Sequence, residues 1–90
     1  MPGAPERLSA EIVRFVGALR GRELFKAPGV AETLDWAQAL VELDAVALDP
    51  SLVADTLGVL LKYQDDIGRM QASEVRKVLD ELRAQAAPAA

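Results

Sequence analysis

Ninety residues, 51% hydrophobic and 27% charged, set the scale of one globular domain. A formal charge of −4 works against binding a phosphate backbone, and the lack of cysteine and histidine removes disulfides, thiolate chemistry, the usual general base and the commonest metal ligand. No apolar run approaches the ~20 residues that cross a bilayer, and no basic-then-apolar leader opens the chain, so the expected setting is cytoplasmic and away from membrane.

The first expected helix spans about residues 5–22. Leu8, Ile12, Phe15 and Leu19 recur at steps of four and three, with Val16 beside them, while Glu11, Arg14 and Arg20 fall elsewhere on the wheel. Pro5 suits a first turn and Gly21 a stop. The connector "GRELFKAPGV" follows, with Leu24 and Phe25 expected to turn inward; Pro28 disfavours helix at Ala27, and Gly29 permits a sharp bend.

A second helix is expected over about 31–43. Trp36, Leu40 and Leu43 share one line, Leu34, Ala37 and Val41 an adjacent one, and Asp35, Gln38 and Glu42 a polar ridge. In "LDPSLV", Asp49 can cap free N–H groups while Pro50 takes the first helical position, where its missing donor costs nothing. The third helix, about 50–64, is apolar around most of its circumference at Leu52, Val53, Leu57, Val59, Leu60 and Leu61, which predicts a central position. The fourth, about 73–85, has a narrow stripe of Val75, Val78, Leu79 and Leu82 and is expected at the edge, with 86–90 a frayed tail. No segment alternates as a strand does. The expected fold is all-α, a four-helix bundle forming one domain over residues 1–90.

Little in the chain points to chemistry. Ser9, Ser51 and Ser73 have no histidine to activate them, and a capping role accounts for Ser73. No GxxxxGK[ST] segment is present, so these residues alone are not expected to form an enzyme. The Asp65–Asp66 and Glu32/Asp35 pairs could hold magnesium, but adjacent acids at a helix end are more often solvated, and spacing offers no third ligand. A helix-turn-helix reading fails on charge, because Asp35 and Glu42, or Asp55, would face phosphates. Trp36 reads as core, with a docking role open if one ring edge stays exposed.

The segment "LFKAPGVAETLDWAQALVELDAVALDPSLVADTLGVLLKYQDD", preceded by "PERLSAEIVRFVGALR", resembles the C-terminal lid subdomain of MoxR-type AAA+ ATPases over nearly the whole chain. Glu32-Thr33, Asp35-Trp36-Ala37 and Leu60-Leu61-Lys62 carry most of the likeness. The resemblance implies a helical lid that closes over ATP and magnesium held by an upstream α/β domain, with no cofactor on the lid itself. It further implies a chaperone-like motor that matures other complexes, neighbouring subunits in a ring, and a von Willebrand A-domain partner. "MPGAP" would then be a start or a linker remnant.

By the same likeness, Gly29, Ala31, Glu32 and Thr33 lie near nucleotide, and Asp35, Trp36 and Lys62 are candidate interface residues. Thr33 stands near where relatives place a phosphate-reaching arginine, so a neutral hydroxyl replaces that cation. Free N–H groups at a helix start favour an anion by ~0.3–1 kcal/mol. An unshielded Glu32 about 4 Å from a phosphate opposes it by ~4 kcal/mol. Glu32 must therefore point away or be shielded by a cation, unless it and Asp35 simply stabilise the helix start. The alternative to a lid is a freestanding helical module that binds another protein.

Overall fold

Leu8, Ile12, Phe15, Val16 and Leu19 are all buried on one side of α1 (Glu6–Arg20), as their spacing requires. The computed structural model describes residues 5–22, 24 and 26–86. Four further helices follow: α2 (Val30–Glu42), α3 (Pro50–Leu60), α4 (Gln64–Arg69) and α5 (Ala72–Ala86). The described residues contain no strand. The radius of gyration is 12.4 Å, against about 12 Å for a compact domain of this length.

The four longer helices surround one core, with α1 and α3 each packed against both α2 and α5. Side-chain links fix the directions. Trp36 meets Thr56 and Glu32 meets Lys62, so α2 and α3 run antiparallel. Glu11 meets Arg83 and Arg22 meets Glu74, so α1 and α5 do too.

Three sequence expectations are corrected here. The bundle has five helices rather than four, because α3 stops at Leu60 and Leu61 turns extended at φ −111°, ψ 134°. Leu61 stays buried outside the helix, so an apolar run that reads as more helix instead lines the core from a link. The third helix packs closely against both α2 and α5 but is less enclosed than its apolar circumference predicts. It buries Val53, Leu57 and Leu60 and leaves Val59 42% exposed, whereas α1 buries six residues. Ser73 lies inside the first turn of α5, which begins at Ala72, so it does not cap that helix. Phe25 and the tail residues 87–90 lie outside the described residues; Leu24 packs against the core.

The ends of α2 and α3 are chemically specified. Past Leu43, Asp44 adopts φ 59°. Its N–H reaches Val41 O at 3.0 Å and that of Ala45 reaches Leu40 O at 3.1 Å, closing α2 with a left-handed residue that aspartate tolerates better than most. At the start of α3, the Asp49 carboxylate accepts from Ser51 N at 3.1 Å and Leu52 N at 3.2 Å, with Pro50 in the first turn. Asp49→Ala is therefore expected to cost about 1 kcal/mol, read as a lower urea midpoint with unchanged slope.

Candidate functional site at the start of helix α2

The connector from α1 to α2 is tied down before the helix begins. Arg20 Nε donates to Pro28 O at 3.3 Å, and Lys26 N donates to Asp66 Oδ2 of α4 at 3.1 Å. Asp66 is fully buried, unlike the solvated acid its position in "QDD" suggests. These ties set Gly29 as the residue before α2, in extended backbone at φ −89°, ψ −175°.

Glu32 settles what the helix start faces. Its carboxylate folds back over its own helix start, accepting from its own N–H, and Lys62 Nζ lies 3.5 Å from Oε1. A Cβ placed on Gly29 would lie 2.9 Å from Glu32 Oε2, so glycine gives the carboxylate room to turn back. The carboxyl is held below its ordinary range. The largest cause is that backbone hydrogen bond; burial opposes it, and Lys62 and Lys26 reinforce it. Thr33 is committed as well: its N–H and Oγ1 donate to Gly29 O at 3.0 and 2.7 Å. Ala31 is exposed beside them.

This arrangement bears on all three options left open for Glu32, and combines shielding by a cation with stabilisation of its own helix start. The acid does not point away; it fills the anion position of its own helix, and Lys62 shields it. A phosphate at this helix start would have to displace the carboxylate, so the residues present do not fit direct phosphate binding there. The four nucleotide-proximal candidates Gly29, Ala31, Glu32 and Thr33 thus lie together with Lys62, and the side chains of Glu32 and Thr33 are already engaged at this helix start.

The interface candidates separate. Asp35 is exposed. Trp36 has no exposed edge: its ring is 0% exposed, 5.6 Å from that of Phe15, and its Nε1 donates to Thr56 Oγ1 at 2.8 Å. Thr56 Oγ1 passes the bond on to Leu52 O at 2.8 Å. Trp36 is a core residue, and the docking option for it falls away. Leu43 and Leu34, which periodicity groups with the core lines, are 57% and 54% exposed. Among the described residues, no three acids converge to hold a metal ion.

One polar assembly escapes sequence reasoning. Glu11, only 8% exposed, accepts from Leu48 N at 2.8 Å and from Arg83 Nε at 2.8 Å. Arg83 Nη2 also donates to Leu48 O. The trio joins α1, the link before α3 and α5 across the core edge. Burial pushes the Glu11 carboxyl up, but the Arg83 and Leu48 hydrogen bonds with the Arg83 and Arg7 charges outweigh it and hold it below its usual 4.5. The spacing Glu11–Ile12–Phe15 carries a faint signal, since Glu11 directly precedes a buried position and sits one turn before another. The partner arginine lies 72 residues on and leaves no local trace. Beside this trio, Arg7, Ala10, Arg14, Leu79 and Leu82 line an open cleft of about 500 Å³ between α1 and α5. Set against family models, curated proteins and solved structures, the chain finds no match.

Proposed function

We propose that this chain is the C-terminal lid subdomain of a MoxR-type AAA+ ATPase. In this reading it closes over ATP bound by an α/β domain that precedes it, and contributes to ring assembly in a cytoplasmic, chaperone-like motor that matures other complexes. The observation that supports the reading most is the ordered placement of the resembling segment. A Pro28–Gly29 turn leads into α2, Trp36 anchors α2 to α3, Asp49 caps α3, and "LLKYQDD" breaks so that Lys62 returns to the start of α2.

The role is mechanical. ATP and magnesium chemistry belongs to the preceding domain, and a von Willebrand A-domain protein is the expected external partner. Glu32 and Lys62 keep the start of α2 closed and neutral, and α4 holds the connector at a fixed angle through Asp66. A cover built this way moves as one body instead of reading phosphate with a free helix end.

The chain alone is accordingly expected to bind ATP with a dissociation constant weaker than about 100 μM by titration calorimetry. A value below about 1 μM overturns the reading. The mass of the native polypeptide in cell extract tests it a second way. A species much larger than 9.6 kDa, with a Walker A lysine upstream, supports the lid. A species near 9.6 kDa supports the freestanding interaction module, a reading favoured by the exposed Val30 and Leu34, 71% and 54% accessible on α2.

A further inference from the structure

Two faces of this molecule match each other in charge and spacing. On α1, Arg7 and Arg14 are exposed and seven residues apart, about 10.5 Å along the helix. They flank Ala10 at the mouth of the α1–α5 cleft, whose apolar floor is Leu79 and Leu82. On α2, Asp35 and Glu42 are exposed with the same seven-residue spacing, and Leu34 beside Asp35 is 54% exposed. The side chains of Arg14, Asp35 and Glu42 make no ion pair or hydrogen bond with other described residues, and Arg7 reaches only Glu11, at 4.0 Å.

We infer that the Arg7/Arg14 cleft of one copy of this chain receives the Asp35/Glu42 face of α2 from a second copy. Two helix faces with charges at equal intervals pair both charges at once. Leu34 then adds an apolar side chain for the Leu79/Leu82 floor. The acids that face the cleft do not cancel its charge. Glu11 is already engaged by Arg83, and Glu6 lies at the α1 start, leaving Arg14 without an ion pair among the described residues. The contact joins different patches on the two copies, so it is head-to-tail and leaves one free patch of each kind on every dimer. This assembly rests on the two faces alone and does not depend on the lid reading.

Sedimentation equilibrium at low ionic strength tests it, because exposed charge pairs are screened least there. The wild-type chain is expected to show a mean mass that rises with concentration and falls toward 9.6 kDa as salt is added. The R7E/R14E chain and the D35K/E42K chain should each weaken self-association at least about tenfold, since like charges then meet. An equimolar mixture of the two should regain association, because the reversed cleft of one meets the reversed α2 face of the other and the remaining cleft and face pair as in wild type. The decisive tests are therefore this mixture and, separately, the four-fold R7E/R14E/D35K/E42K chain, in which both faces are reversed. The four-fold chain should regain wild-type association. Circular dichroism confirms that each variant is folded, a check that matters most for the R7E chains because Arg7 lies 4.0 Å from the buried Glu11. A wild-type chain that stays monomeric at about 1 mM overturns the inference, as do doubly substituted chains that associate like wild type or a four-fold chain that stays dissociated.

Discussion

Trp36→Ala is expected to remove about 3–5 kcal/mol of folding stability, a large part of the roughly 5–13 kcal/mol available to ninety residues. The ring is wholly buried between Phe15 of α1 and Thr56 of α3, so truncation opens a void that close-packed neighbours fill only partly. Urea unfolding followed by far-UV circular dichroism reads the loss, since the substitution removes the chain's one tryptophan. Trp36→Phe separates packing from hydrogen bonding. It keeps most of the apolar contact and loses one donor, while Thr56 Oγ1 still donates to Leu52 O, so a cost of about 1–2 kcal/mol is expected. Thr56→Val leaves the indole N–H buried without an acceptor and should cost about 1–3 kcal/mol. The two together should cost less than their sum, because each alone strands or wastes half of the same bond. A fully additive pair, or a Trp36→Ala loss below about 1 kcal/mol, would mean that the indole is not the pivot between these helices.

The burial of Trp36 is legible in the sequence, its partners Phe15 and Thr56 are not, and the reasons mark how far sequence reasoning reaches here. Trp36 and Leu40 lie on a helical stripe four residues apart, and Asp49–Pro50 names a helix start by capping chemistry that acts within three residues. Such local signals place α1, α2, α5 and the start of α3. The stop of α3 is different. No glycine or proline follows Leu60, and the pull that unwinds Leu61 is its burial in a core shared with distant residues. The short α4 and the buried Asp66 depend likewise on Lys26, 40 residues away. At the candidate site, composition and charge were enough to show that Glu32 conflicts with an anion at the start of α2. They could not supply its resolution, because Lys62 arrives there only through the antiparallel return of α3. Local rules find the helices, and long-range pairing decides what their ends are used for.

Glu11→Ala is expected to cost about 2–4 kcal/mol, next in size to loss of the indole. Breaking a buried ion pair typically costs 3–5 kcal/mol because one charge is left without its partner. The Arg83 side chain is 39% exposed, so water can soften that penalty for the guanidinium. Nothing softens it for Leu48 N–H, which loses its acceptor in a buried position. Glu11→Gln keeps an acceptor for Leu48 and Arg83 but not the charge, and should cost about half as much. The pH dependence of unfolding provides a second signature with a definite sign. The folded carboxyl titrates below its ordinary 4.5, so its contribution is fully present above that value. As pH falls through 4.5 the unfolded chain takes the proton first, and the contribution drains until the folded Glu11 is itself protonated. Glu32, also held low, drains in the same window, so Glu32→Gln is the necessary comparison. Between pH 5 and about 3 the urea midpoint should fall less steeply for Glu11→Gln than for wild type, and a smaller flattening should appear for Glu32→Gln, whose partner Lys62 is mostly in water. If the Glu11→Gln and wild-type profiles run parallel through this range, then the Glu11 carboxyl titrates alike in the folded and unfolded chain, and the link between α1, Leu48 and α5 draws no net stability from its charge.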